Sequence, residues 1–481
     1  MSFKNLLHFI KTLEDEKELV RISTPVDPYL EITEVADRIS KAKGPALLFE
    51  NVKGSEYPLL INAFGSYKRM NLALNCSNFD DIADKIRGLL KMQPPAGMLD
   101  KIKMLFKLKE LASFTPKKVT QAPCQQVITD KGPMLDRLPI QTCWPHDGGP
   151  FVTLPLVVSK DPDSGIQNLG MYRMHKYNNT QTGMHWQYNK DGARHYAKYK
   201  ERNQRMEIAV ALGGIPAVTY GATAPLPPDI NELMFAGFLE GKAIEIVKAK
   251  TVDLYVPAES DFIIEGYIDP GDEKIEGPFG DHTGFYSPAD MYPIFNVTCI
   301  TSRKDAIYPS TIVGKPPMED CYMAKATERI FLPMLQLVVP EILDMNLPME
   351  GVFHNCALVK INKEYAGHGK KVINALWGMG QMASTKSIIV FDKDIDLNEN
   401  STVLWKLLNN VDPKRDFIIT DGPLDALDHS APFANFGGKV GIDATRKTKE
   451  EGMGRDWPDE IKMTKEVQEL VTKRWKEYGL S

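Results

Sequence analysis

Apolar positions along this chain change their spacing twice. Near the N-terminus they recur at helical intervals. Leu6, Leu7, Ile10 and Leu13 form one stripe, with Ser2 placed to cap it, and Ile32, Val35 and Ile39 form a second. Short apolar runs at Ala46 to Phe49 and Leu59 to Ile61 suit strands. This opening stretch predicts a mixed α/β domain. Phe114 to Asp130 is polar, carries Pro116 and Pro123, and reads as a linker. From about 133 to 315, β-rich runs alternate with Gly, Pro, Asn and Asp: Leu154 to Ser159, Asn168 to Met174, Met184 to Tyr188, Phe262 to Ile268, Ile294 to Thr301. That spacing predicts a barrel or sandwich. From about 319 the α/β texture returns, with helices near Met323 to Gln336, Lys370 to Met382 and Val403 to Asn410, and strands at Cys356 to Ile361 and Ser387 to Phe391. A last helix, Thr464 to Tyr478, stripes Val467, Leu470, Val471 and Trp475, a face that packs on its own domain or clasps a partner subunit.

Composition narrows the function classes. The 481 residues are 43% hydrophobic and 25% charged, which suits a folded enzyme of two to four domains. The formal net charge of −5 offers nucleic acid no general attraction. The one basic stripe, Lys101, Lys103, Lys107 and Lys109, alternates with apolar residues and reads as the solvated edge of an amphipathic helix. No apolar run approaches the ~18 residues of a membrane span, so membrane contact is peripheral at most. The segment MSFKNLLHFIKTLEDE lacks a signal-peptide core, and the six cysteines form no CxxC pair. A reducing, cytoplasmic setting is expected.

Three clusters could carry chemistry. The densest is Asn168 to His195, NLGMYRMHKYNNTQTGMHWQYNKDGARH, expected to form a β-hairpin around the turn Asn178 to Gly183. It is either a surface hairpin or, with Arg173, His185, Trp186 and Gln187 crowded together, a wall for a planar hydrogen-bonding ligand. The second is Glu276-Gly-Pro-Phe-Gly-Asp281-His282-Thr283-Gly284. Asp in such turns commonly serves backbone hydrogen bonds. Alternatively, two acids near one arginine can have their pKa values pushed apart, one ionised and one a proton donor. The third is Glu232 at the start of a helix Asn231 to Glu240, where an acid ordinarily just favours the helix dipole. Gly378 to Gly380 lacks the preceding strand of a dinucleotide site, and His8 and His354 read as structural.

These clusters, in this order, resemble the UbiD family of prenylated-flavin decarboxylases. The resemblance runs nearly the whole chain: NLGMYRM at 168 to 174, MHWQ at 184 to 187, INELMFAGFLEG at 230 to 241, EGPFGDHTG at 276 to 284, YAGHGKKV at 365 to 372, TKSIIVFDKDID at 385 to 396 and GGKVGIDAT at 437 to 445. It implies an N-terminal α/β domain over 1–115, a central split β-barrel like that of flavin reductases over 116–318, a C-terminal α/β domain over 319–450, and an oligomerisation helix within 451–481 that builds a homodimer or homohexamer.

The resemblance also implies a site. Asn168 and Glu232 would hold a divalent cation, manganese first and magnesium as substitute, with potassium as an accessory ion; an oxygen-rich set suits a hard cation beside a phosphate. Met171, Tyr172, Arg173, His185, Trp186, Gln187, Lys190, Asp191 and Lys386 would line prenylated FMN, supplied by a flavin prenyltransferase. Arg173, Glu276 and Asp281 would be the catalytic trio. Asn189 departs from the pattern, since many relatives place a metal-ligating His there; its carbonyl oxygen still suits a hard cation. Loss of CO₂ from an aromatic acid leaves negative charge that no side chain accepts, so a cofactor must take it. The GDHTG form resembles members acting on hydroxybenzoate- or hydroxynaphthoate-type acids of ubiquinone or menaquinone synthesis. A phenolic acid decarboxylase or carboxylase outside that synthesis, an inactive flavin-binding scaffold and a plain flavin reductase are the rivals. One geometric tension stands: Asn168 and Arg173 have opposite parity in a regular strand, so a bulge or strand end must intervene.

Overall fold

The computed structural model describes residues 2–91, 104, 107, 109–132, 134–187, 190–226 and 230–480. Asn189 and Tyr188, and Lys101 and Lys103 of the basic stripe, lie outside these residues.

The first helix, Leu6–Asp15, is capped by Asn5 and not by Ser2: the Asn5 Oδ1 accepts from the His8 N–H at 3.0 Å. An Asx side chain immediately before the first turn is the one that reaches these free N–H groups. The helix buries Leu6, Phe9, Ile10 and Leu13. A second helix, Glu31–Lys41, buries Ile32 and Ala36. The expected strands Ala46–Phe49 and Leu59–Ile61 form a four-stranded sheet with Leu19–Ile22 and Tyr308–Pro309. Its last strand comes from far downstream and joins this sheet to the centre of the molecule.

The polar stretch after Phe114 is not a bare linker. Lys117–Val119 pairs in parallel with Glu245–Lys248, and Val127–Thr129 pairs with Asp290–Ser302. Three-residue strands are too short to show a period of two in sequence, so only their backbone partners reveal them.

At the centre is an antiparallel seven-stranded sheet. Its order is Gln181–Gly183, Asp290–Ser302, Phe262–Glu276, Met206–Leu212, Leu156–Lys160, Gln167–Met171, with Val127–Thr129 also on Asp290–Ser302. Its side chains alternate between two cores. Leu156, Val158, Ala209, Ala211 and Ile263 enter one; Val157, Ile208, Val210, Leu212, Phe262 and Ile264 enter the other. A sheet buried on both faces has apolar residues at consecutive positions, which is why these strands read as unbroken runs. Among the described residues no ladder joins the two edges, so no closed barrel forms.

The expected single hairpin is divided. The strand Gln167–Met171 stops at Met171, the bridge-forming pair Met174–His175 runs against Phe151–Val152, and Gln181–Gly183 joins the far edge of the central sheet. Met184 to Gln187, expected as a strand, is irregular. The strand end at Tyr172 and Arg173 removes the parity conflict, because the two halves belong to different sheets.

The helix Glu319–Val338 leads into a five-stranded sheet ordered Ile342–Asn346, Cys356–Ile361, Ser387–Asp392, Phe436–Asp443, Phe417–Pro423. Thr464 caps the helix Lys465–Arg474, which buries none of its residues; Val467, Leu470 and Trp475 are exposed. Among the described residues no helix is long and apolar enough to cross a membrane.

Candidate active site

The end of the strand at Met171 and the turn after the strand Phe262–Glu276 bring three charged side chains together. Arg173 donates from Nε to Glu276 Oε1 at 3.0 Å, from Nη1 to Asp281 Oδ2, and from Nη2 to Ser287 Oγ at 3.2 Å. The guanidinium also lies 4.6 Å from the ring centroid of Phe279. A planar fork with fixed donors suits this arrangement, and lysine would not reproduce it. All three groups are nearly shielded: the side chains of Arg173, Glu276 and Asp281 are 12%, 0% and 8% exposed.

Each carboxylate has its own imidazole. His185 Nδ1 lies 2.8 Å from Glu276 Oε1, and the Tyr292 ring covers His185 at 4.3 Å between centroids. The Asp281 Oδ1 accepts from the backbone N–H of His282 at 2.7 Å and lies 2.8 Å from its Nδ1. Burial alone would raise both acids, but the hydrogen bonds and positive charge outweigh it. His185 with Arg173 holds Glu276 below the usual carboxylate range, and His282 with Arg173 holds Asp281 well below it. The expected splitting into one ionised and one protonated acid is therefore absent in the resting site, because one guanidinium serves both carboxylates. The second Glu276 oxygen, Oε2, is buried with no hydrogen-bond partner.

Asn168 and Glu232 meet in a second cluster. Asn168 Nδ2 donates to Glu232 Oε1 at 2.6 Å, and the Leu169 N–H donates to Glu232 Oε2 at 3.1 Å. Asn231 caps the helix Glu232–Glu240 through the Leu233 and Met234 N–H groups, so Glu232 is free of that task. Burial pushes the Glu232 carboxyl up. The Asn168 Oδ1 is buried and has no partner. A desolvated carboxylate beside an orphaned carbonyl oxygen fits a hard cation.

The other expected residues divide. Tyr172 and Trp186 meet edge to face at 6.5 Å, and the Trp186 Nε1 donor is buried without a partner. Gly192 packs on that indole: a Cβ there would fall 2.6 Å from Trp186 Nε1. The Tyr172 hydroxyl, pushed up to about 12 by burial, accepts from the Gly192 N–H at 3.4 Å. Burial lowers Lys190, an ammonium that an anion would stabilise. The Lys190 backbone N–H donates to the Gln187 carbonyl at 3.0 Å, just ahead of the helix Asp191–Glu201. Met171 lies half-buried, its N–H donating to the Ala222 carbonyl at 3.2 Å. Two further expected cofactor residues have charged partners: Asp191 is half-exposed and paired with Arg194, and Lys386 is tied to Asp428 and Ser430.

Comparison with known proteins agrees with this geometry. Models of the three domains of 3-octaprenyl-4-hydroxybenzoate carboxy-lyase match residues 10–86 (N-terminal), 117–316 (the Rift-related domain) and 321–444 (C-terminal). The chain belongs to the UbiD family. An uncharacterised protein of Archaeoglobus fulgidus is 47% identical over 479 residues, covering 99% of each chain. Among solved structures, the vanillic acid decarboxylase of Sedimentibacter hydroxybenzoicus in its closed form superposes with a TM-score of 0.85 at 28% identity, over 99% of this chain and 100% of that one. An evolved dimeric form of the UbiD-class enzyme HmfF from Pelotomaculum thermopropionicum, in complex with prFMN, gives 0.80 at 25% identity over 98% and 100%. As a UbiD family member the chain is a carboxy-lyase, with a mixed α/β fold like those structures.

The residues of this UbiD protein fit the groups its family implies. Asn168 Oδ1 and Glu232 offer oxygens to a cation, while Trp186 Nε1 and Lys190 offer a free donor and a half-buried amine to a flavin and its phosphate. Sequence reasoning assigned no role in the site to His282, Ser287, Tyr292 or His354. His282 stood inside the quoted motif, but its partner His354 is 72 residues away, and no local pattern links them.

Proposed function

We propose that this chain carries out non-oxidative decarboxylation of an aromatic carboxylic acid, with prenylated FMN and a divalent cation as cofactors. The observation that carries it is one buried guanidinium shared by two carboxylates, Glu276 and Asp281, each backed by a histidine. Prenylated FMN, when bound, supplies the electron sink that the side chains lack. Asn168 and Glu232 would hold the cation at its phosphate, and Tyr172, Trp186 and Lys190 would border the ring system.

Arg173 binds the substrate carboxylate through charge-assisted hydrogen bonds, while Glu276, anchored by His185, keeps the guanidinium oriented. When Arg173 turns its charge to the substrate, Asp281 loses a stabilising partner and burial raises its proton affinity. Asp281 then takes up one proton from solvent and delivers it to the carbon whose bond to the departing CO₂ has broken. The surrounding apolar shielding strengthens each of these interactions relative to water.

Hydroxybenzoate- or hydroxynaphthoate-type acids of quinone biosynthesis are the leading substrates, supported by the GDHTG turn and by the description of the family. A smaller phenolic acid is the second reading, supported by the likeness to vanillic acid decarboxylase. The protein would work in the cytoplasm as a homodimer or homohexamer. The exposed stripe on Lys465–Arg474 would form subunit contacts, and a flavin prenyltransferase would provide the cofactor. The domain division at 115, 318 and 450 belongs to the same proposal.

With cofactor loaded, CO₂ release from 4-hydroxybenzoate, vanillate or a hydroxynaphthoate without nicotinamide consumption is the expected result. Nicotinamide oxidation without CO₂ would make the chain a flavin reductase, and a fully loaded protein inert on all three would favour a scaffold. Replacing Asn189 with His tests the departure from the family. If Asn189 ligates the cation, the variant stays active and shifts its preference from Mg²⁺ towards Mn²⁺ or softer ions, because imidazole suits later transition metals. Unchanged metal ratios after competitive reconstitution would remove Asn189 from the site.

A further inference from the structure

We propose that His282, His354 and Asp425 form a second cation site, separate from Asn168 and Glu232, that takes a borderline transition ion such as Zn²⁺ or Co²⁺. Their ligand atoms all lie within 4.8 Å of one another. They come from three separate segments: the turn after Gly280, the loop after the 3₁₀ turn Met349–Gly351, and the connection between Phe417–Pro423 and Phe436–Asp443.

The orientation of His282 is set by Asp281, which lies 2.8 Å from Nδ1 and takes its proton in hydrogen bonding. The Nε2 is directed away from Asp281, so loss of its proton would leave a lone pair there for a metal, the arrangement by which a carboxylate orients a histidine for ligation. The Nε2 of His354 lies 2.7 Å from it. Two facing imidazole nitrogens need a cation or a shared proton between them. The His354 Nδ1 is buried without a close hydrogen-bond partner, and the neighbouring Asn355 side chain favours a proton on the imidazole.

The surroundings are acidic. Asp281, Asp320 and Asp425 face His282, and Asp425 and Asp428 face His354; Lys190 is the competing positive charge near Asp425. Binding would displace the shared proton to solvent and part the two nitrogens to ~3.4 Å, as a tetrahedral ion with bonds of ~2.0 to 2.1 Å requires. Two imidazoles and a carboxylate favour later transition ions, whereas the oxygen-only set of Asn168 and Glu232 favours Mg²⁺ or Mn²⁺. Water would complete the fourth position.

The test is cobalt titration of the full-length, chelator-stripped protein, read by visible ligand-field absorption and metal content. The four-coordinate cobalt band is expected in the wild type and in Glu232→Ala. It should vanish in His354→Gln and in the near-isosteric Asp425→Asn, with about one equivalent less metal. Circular dichroism melting checks that each variant is folded. A wild type without that band, or a band that survives in both folded variants, overturns the proposal. So does a His282–His354 shared-proton NMR resonance that persists in excess Zn²⁺. No readout involves turnover, so the outcome is independent of the decarboxylation reading.

Discussion

Asp281→Asn is expected to retain flavin and cation and to lose decarboxylation by about 10²- to 10⁴-fold, the usual cost of removing a positioned acid. The amide keeps an oxygen for the His282 N–H groups, so the turn at Asp281 to Gly284 should hold its shape. What disappears is a group that can carry a proton to carbon once the substrate carboxylate occupies Arg173. The loss should fall on kcat, since Arg173, still oriented by Glu276, binds the acid. Single-turnover measurement of CO₂ and of the protonated product checks this. Decarboxylation within a few-fold of wild type would remove Asp281 from the mechanism, and a parallel loss of bound flavin would instead assign it to cofactor binding.

Glu232→Ala is expected to lose the cation and most of the flavin together. The Asn168 Nδ2 and Leu169 N–H groups lose their acceptors, at about 1 to 3 kcal/mol for each buried polar group left unpaired. The larger effect is electrostatic: without a carboxylate the cation has only Asn168 Oδ1 in this cluster, and a phosphate beside it would have no ion to neutralise it. Glu232→Gln separates the two causes, since it keeps an acceptor but not the charge. Metal analysis and visible absorbance after gel filtration report both outcomes. If Glu232 were only an acid at a helix start, its removal would cost ~0.3 to 1 kcal/mol of stability and leave both ligands bound. Full retention of cation and flavin in both variants would sink the assignment.

The carboxylates of Glu276 and Asp281 show why pKa reasoning from sequence falls short. Two acids near an arginine suggested one ionised group and one proton donor. The folded site holds both below the usual range, because Arg173 reaches both and each has a histidine at 2.8 Å. A proton donor arises only if the substrate draws Arg173 away. Local spacing cannot reveal that a single guanidinium is shared.

Local residue patterns determined a good deal about this protein. The strands Ala46–Phe49, Leu59–Ile61 and Cys356–Ile361 stand where their apolar runs placed them, because burial of consecutive side chains leaves a continuous signature. The helix Glu319–Val338 follows from its 3.6-residue periodicity, and the helix Glu232–Glu240 starts at the capping residue Asn231. The motifs around Asn168, Glu232, Glu276 and Asp281 were also legible, since each occupies one short stretch. Tertiary structure alone decided the rest. It ended the strand at Met171, sent the two halves of the expected hairpin to different sheets, and left the central sheet open at its edges. It drew Asp191 to Arg194 and Lys386 to Asp428, and it set His354 against His282. These outcomes depend on contacts between segments distant in the chain, whose energies come from burial and charge pairing in three dimensions and leave no periodic trace in the order of residues.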